Sequence, residues 1–311
     1  MEQASLVNRT KAARRVGVEI GLGGLDETAI AGTIMYLFGG HLQPDGAMRV
    51  RVCGTQLGDM VVELDTAYAE TLDQGPRKVV LLARHIVPSE IVTDPIAERD
   101  LPKLDTLVKE LRAAGATGNN ASPLHGFGVH FNPEVQSDAP ADILRIMQAY
   151  ALLEPWLRTK EPMGFTRRSL PFTDPWPIDL RDALAEIDPD SLTVDALIDL
   201  YLYYAPSRNY GLDMLPLFGH LDEDRVARKM GDNMPSTRPT YHFRLPTSRV
   251  DEPGWKITSE WAKWRLVERL SAKQHDLSKL CRAWRETAQA WLGREDAWAR
   301  RLPELIPNLI S

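Results

Sequence analysis

The chain has 311 residues, 43% of them apolar and 26% charged, enough for one large domain or two ordinary ones around a buried core. No run of 18 or more apolar residues occurs and the N-terminus, MEQASLVNRTKAARR, has no apolar stretch, so neither membrane spanning nor secretion is indicated and a cytoplasmic location is expected. Two cysteines, Cys53 and Cys281, lie far apart without metal-ligand spacing, which argues against a disulfide framework; the net charge of −6 hides a +4 segment from Trp255 to Ser311, whose basic residues are spread along helical positions rather than in the stripe that nucleic acid requires.

The run RRVGVEIGLGG, Arg14 to Gly24, reads as a strand. Alternation places Val16, Val18, Ile20 and Leu22 on one face, with Arg15, Gly17, Glu19, Gly21 and Gly23 on the other. A carboxylate flanked by glycines suggests a place where a ligand or another chain comes close. LDETAIAGTIMYLFGG then has an N-cap acid, helical apolar spacing and a terminal glycine pair, and predicts a helix of about three turns. AMRVRVCG and DMVVELD, separated by Gly58-Asp59, predict an antiparallel hairpin. KVVLLARHIVPSEIVTDP carries Glu90 between Pro88 and Pro95, which suits an edge strand or a strand end.

A helix is expected from Pro102 to Ala114, followed by a loop that leads into the strand around Phe127 to Asn132. There Phe127, Val129 and Phe131 alternate with Gly126, Gly128, His130 and Asn132. Further helices are predicted at 140–158, 179–187 and 193–205, with a proline-rich loop, MGFTRRSLPFTDPWPID, between the first two. A last strand, RPTYHFRLP, puts Tyr241, Phe243 and Leu245 opposite Thr240, His242 and Arg244, and helix is expected from Thr258 nearly to the end. In that end Leu270, Leu277, Trp284, Trp291 and Trp298 recur every seven residues, a stripe expected to pack on the rest of the protein rather than to form a coiled coil; a self-association face, and so a homo-oligomer, is the alternative.

No internal repeat or low-complexity linker divides these elements, so one catalytic domain over 1–311 is expected, with a Trp-rich helical segment at about 258–306. Hairpin-like neighbours and long helical insertions indicate an α+β fold: a mostly antiparallel, curved sheet with helices on one face and a polar groove on the other. That groove gathers Glu19, Glu63 with Asp65, Glu90, His130 with Asn132, and His242 with Arg244. Carboxylates with imidazole suit a divalent cation and arginine matches phosphate oxygens, so the set points to a metal-nucleotide site. Taken singly, each residue also fits a salt bridge, a solvated hairpin face or a hydrogen-bonded core histidine.

In order, RVGVEI, IVPSEIVTDPI, GFGVHFNPE, SRNYGLDMLPLFGHL and RPTYHFRLPTSRVDEPGW resemble the amidoligase family, related to glutamine synthetase and glutamate-cysteine ligase, over about residues 14–270. The resemblance implies a glutamine-synthetase-like catalytic fold and ATP-dependent joining of a small-molecule carboxylate to an amine through an acyl phosphate, with Mg²⁺ or Mn²⁺. It implies metal binding by Glu19, Glu90 and His130, to which the groove adds Glu63 and His242. Arg244 is implied to contact phosphate as the catalytic arginine, Asn132 to orient nucleotide or substrate, and Arg208 with Asn209 to hold a substrate carboxylate. Arg238 and Arg249 are further anion-binding candidates, and an amidotransferase-like hydrolase is a suggested partner; neither a membrane nor nucleic acid is an expected one. No Walker A loop, GxGxxG or GxSxG occurs, so nucleotide would rest on the sheet. Two positions depart from the family pattern: Gly21 replaces the second acid of E-x-E, and His242 replaces an acid before the last-strand arginine. They keep open a rival reading, an impaired protein of the same fold that binds nucleotide or metabolite without turnover. A metal-dependent hydrolase fits less well, because no H-E-x-x-H set is present.

Overall fold

The computed structural model describes residues 14–46, 49–64, 89–118, 127–161, 173–287 and 293–310. Its strands are β1 (Arg15–Leu22), β2 (His41–Pro44), β3 (Arg49–Thr55), β4 (Gly58–Leu64), β5 (Ser89–Thr93), β6 (Ile96–Ala97), β7 (Val129–Pro133), β8 (Leu212–Asp213) and β9 (His242–Phe243). The helices are α1 (Glu27–Phe38), α2 (Leu101–Ala113), α3 (Pro140–Lys160), α4 (Ile178–Glu186), α5 (Val194–Tyr204), α6 (Leu215–Leu221), α7 (Glu223–Met230), α8 (Ile257–Ala272), α9 (Gln274–Glu286), α10 (Arg294–Leu305) and α11 (Pro307–Ile310). The strands form one antiparallel sheet in the order β2-β3-β4-β5-β1-β7-β9-β8, with β6 pairing at the start of β1. The fold is α+β.

Register follows from the alternation in β1. Val16, Val18, Ile20 and Leu22 are fully buried on one face, each stabilising the fold by about 2 kcal/mol relative to exposure. A slip of one residue would turn Glu19 into that core, so the pairing is strongly specified. Helix α1 packs on β3 and β4, α8 packs on β7, and α2 lies against both helices. α1 begins at Asp26, whose side chain accepts a 2.8 Å bond from Ala29 N–H, and ends at Gly39, whose φ of +73° lets its N–H close on Met35 O.

Aromatic packing fixes the strands at the centre of the sheet from behind. Trp261 of α8 meets Phe131 at 5.4 Å between ring centroids, and Trp264 meets Tyr241 at 5.1 Å and Phe243 at 5.6 Å. Phe131 stands between His130 and Asn132, and Phe243 between His242 and Arg244, so this contact sets the positions from which four polar side chains face the other way.

Two expectations about the elements need correction. RPTYHFRLP is regular strand only at His242–Phe243: Pro239 and Pro246 supply no N–H, and the N–H groups of Arg244 and Leu245 both turn to Gly211 O. Among the described residues the C-terminal segment holds four helices rather than one, with breaks at Lys273 and Ile306 and a helix that starts after Gly293, whose φ is +67°. The seven-residue spacing therefore does not run along one helix, yet Leu270, Leu277, Trp284 and Trp298 are all buried against the rest of the protein. Trp298 donates to Leu152 O of α3, and Trp284 donates to Asp182 of α4. Trp291, Asp65, Gly126 and most of the apolar run before Glu90 lie outside the described residues. Within them, no helix is long and apolar enough to cross a membrane.

Candidate active site

Sheet pairing brings the polar strand faces together. Glu19 of β1 stands opposite His130 of β7, Gly17 opposite Asn132, and Gly21 opposite Glu90 of β5. Glu90 in turn faces Glu63 of β4, and His242 of β9 faces Asp213 of β8. Directly opposed residues in an antiparallel pair project from the same side of the sheet, so all these side chains share one face of it.

Glu19 is its centre. Its Oε1 accepts a 2.7 Å bond from Asn132 Nδ2, and its Oε2 lies 2.8 Å from His130 Nδ1 and 3.9 Å from His242 Nε2. Arg238 donates to Asn132 Oδ1 at 2.8 Å, so the amide is held at both ends and fixes the carboxylate plane. Glu90 Oε1 is 3.9 Å from His130 Nδ1. The His130 and His242 rings meet edge to face, with centroids 5.4 Å apart.

His242 is 4% exposed and its Nε2 makes no hydrogen bond, while its Nδ1 lies 3.4 Å from Asp213 Oδ2. Asp213 is fully buried, and its other oxygen accepts from Leu215 N–H. This is the arrangement by which a carboxylate fixes a histidine tautomer: a proton on Nδ1 toward Asp213 leaves the Nε2 lone pair directed at Glu19.

Burial disfavours charge on both members of the Glu19–His130 pair. It would raise the Glu19 pKa, but the hydrogen bond and charge of His130, then His242 and Asn132, hold the carboxyl well below the usual range. For His130, burial outweighs the attraction of Glu19, with Arg244 and His242 adding to the effect, and the imidazole is lowered to about 4. At neutral pH the pair is a carboxylate beside a neutral imidazole, the protonation state that ligates cations.

The glycines flanking Glu19 have a different meaning from the one their sequence suggests. A Cβ at Gly21 would lie 3.2 Å from Gly128 O, and one at Gly23 would meet Thr117 Oγ1 and Phe127, so neighbouring protein fills these places. At Gly17 the Asn132 side chain leans across the bare backbone to reach Glu19. A side chain at Gly21 would therefore have to push Gly128 O back by a few tenths of an ångström, and Glu90 stands directly across from Gly21 and supplies a carboxylate on the same face.

Of the remaining candidates, Glu63 pairs with Arg49 at 3.3 Å beside Glu90. Arg244 donates to the Arg208 carbonyl, and burial lowers its pKa despite the nearby Asp213. Arg208 is half exposed, with Nε 3.8 Å from Asp213 Oδ2. Asn209 is placed through its backbone, accepting from Asp174 N–H and donating to Ser207 Oγ. Arg249 is not drawn into the Glu19 cluster: Glu252 and Glu260 engage its guanidinium at 3.1 and 3.0 Å. Sequence reasoning missed Asp213. The signal that singles out Glu19, a lone acid inside an apolar run, is also present in GLDMLPLFG.

The donor set fits a divalent cation. Two ligands of one cation at bond lengths of about 2.0–2.2 Å sit roughly 3 to 4 Å apart, and the Glu19 to histidine spacings of 2.8 and 3.9 Å fall close to that range. A family model described as "putative amidoligase enzyme" matches residues 12–266. No curated protein matches the chain.

Proposed function

Because the chain belongs to the amidoligase family, we propose that it joins a carboxylate to an amine in an ATP-dependent reaction, in the polar groove of a glutamine-synthetase-like sheet. The observation that carries this reading is the convergence of Glu19, Glu90, His130 and His242, with Arg244 beside them, on one face of one antiparallel sheet.

In the proposed reaction an oxygen of the substrate carboxylate attacks the γ-phosphorus of ATP, the bond to the β-phosphate oxygen breaks, and ADP leaves an acyl phosphate. The amine nitrogen then attacks the acyl carbon, the C–O bond to phosphate breaks, and the nitrogen gives up a proton. Glu19, Glu90, His130 and His242 would hold a divalent cation, which supplies neutralisation of phosphate charge. Arg244, fixed by the Arg208 carbonyl, is aimed to stabilise the transferred phosphoryl group. Arg208, half exposed with Nε 3.8 Å from Asp213 Oδ2, is assigned the substrate carboxylate. Asn132 and Arg238 keep the Glu19 carboxylate in plane, a positioning role.

The test is ADP release with ATP, Mg²⁺ or Mn²⁺ and a panel of amino acids, polyamines and dipeptides. Amine-dependent release that disappears in Glu19→Ala supports the ligase. Gly21 favours a second reading, a protein that binds nucleotide without turnover, and tight ATP binding with no ADP release across a broad panel would establish that one instead.

A further inference from the structure

The chemistry of the three converging side chains is more specific than a generic cation site. Among the described residues, Glu19, His130 and His242 offer ligand atoms that all lie within 4.8 Å of one another. Two of the three ligands are imidazoles. Magnesium demands near-octahedral oxygen ligation and sheds water reluctantly, whereas imidazole suits zinc, copper, iron and nickel. Two histidines and one carboxylate form the set that holds zinc in some hydrolases and ferrous iron in some oxygenases.

The surroundings are those of a prepared ligand set rather than a chance cluster. His242 is 4% exposed with its Nε2 unpartnered and directed at Glu19 Oε2, so an unsatisfied lone pair is buried where a cation would compensate it. Asp213 lies against the far nitrogen of that ring, and Asn132 with Arg238 immobilises the Glu19 oxygen that does not face the histidines.

We infer that Glu19, His130 and His242 form a site selective for a first-row transition-metal cation over Mg²⁺, with Asp213 as the residue that positions His242. The inference rests on reading this groove as the cation site of the proposed ligase, but it concerns binding and can be measured without nucleotide or substrate.

The experiment is a titration of the metal-stripped full chain with Co²⁺, followed by visible d–d absorption, and then competition with Mg²⁺. One Co²⁺ per chain is expected, with a spectrum that persists in a roughly thousandfold excess of Mg²⁺. His242→Gln is expected to weaken Co²⁺ binding by about a hundredfold or more, and Asp213→Asn by about tenfold to a hundredfold, with the absorption band altered in both. His242→Glu should move the preference the other way, toward Mg²⁺. Circular dichroism checks folding of each variant, and His130→Gln serves the same test if His242→Gln does not fold. Absence of Co²⁺ binding, displacement by equimolar Mg²⁺, or unchanged affinity in the folded histidine variants would overturn the inference. Selective binding without ADP release would retain it and remove the ligase reading; Mg²⁺-supported ADP release indifferent to His242→Gln would do the reverse.

Discussion

Glu154 and Glu19 are both carboxylates held out of bulk water, but their neighbours differ in kind. Glu154, on α3, is fully buried and saturated: Arg158 donates to one oxygen at 2.9 Å, and Arg181 and Trp176 N–H donate to the other at 2.7 and 3.0 Å. Arg181 then reaches Glu295 of α10, so the cluster ties α3, α4 and α10 together, and Arg181 Nε and the neighbouring Tyr150 hydroxyl are the groups in it left without a partner. Burial would raise the Glu154 pKa, but two guanidinium groups hold it down, and the ion set is electrostatically closed. Glu19 is bonded instead to one imidazole and an amide, with a second imidazole at 3.9 Å and the partly exposed Arg238 guanidinium at 3.7 Å, and that second imidazole keeps a buried nitrogen with no bond. A closed network has nothing left to offer a ligand. An open one retains free donor capacity at the cost of stability, which is the usual trade at a functional site.

The largest expected effect tests the closed side. Arg181→Met removes one of the two guanidinium groups that compensate a fully buried carboxylate, and should destabilise the fold by about 3–5 kcal/mol in urea unfolding while leaving Co²⁺ binding intact. A loss below about 1 kcal/mol would show that Arg158 alone suffices.

Next comes the pH response of the open side. The folded-state pKa of His130, about 4, lies below its unfolded value of about 6.5, so the folded state binds fewer protons between them. Its contribution is therefore fully present above pH 6.5 and is lost as pH falls toward 4, by about 3 kcal/mol. The unfolding free energy of metal-free His130→Gln should be flatter than that of the native chain across this window. Glu19 and Glu154, both depressed, act below it, since their contributions are present above the unfolded carboxylate pKa and fade as pH falls further.

Gly21→Glu asks whether the groove tolerates the acid that Gly21 replaces. With Gly128 O only 3.2 Å from the added Cβ, the variant should lose about 1–3 kcal/mol of stability and gain no activity, as read by thermal melting and ADP release. The smallest effect belongs to Trp298→Phe, which forfeits the 2.8 Å bond to Leu152 O far from the groove and should cost about 1 kcal/mol with catalysis unchanged.

Much of this was legible in the sequence because period-two alternation is strict where one face of a strand is buried. Val16 to Leu22 against Gly17 to Gly23 gave the strand, its faces and the outward direction of Glu19, and the same reasoning placed His130 with Asn132. The helices at 140–158, 179–187 and 193–205 were readable from apolar spacing and correspond to α3, α4 and α5. Three things were not readable. α6 and α7 follow a short apolar run whose length does not distinguish helix from strand. Asp213 carries a local signal, a lone acid inside an apolar run, but its histidine partner is set only when β8 pairs with β9. The glycines of β1 indicate close approach from sequence, but only the packed neighbours show that Gly128, Thr117 and Asn132 do the approaching.

The central claim is that the open cluster around Glu19 is where a carboxylate is activated, and trapping that activated species tests it most directly. The measurement is ATP-dependent hydroxamate formation, with hydroxylamine as the amine and the panel of carboxylates as substrate, in the native chain and in Glu19→Ala. Hydroxamate that appears with ATP in the native chain and vanishes in a folded Glu19→Ala is the predicted result. Equal hydroxamate in both chains would contradict the account.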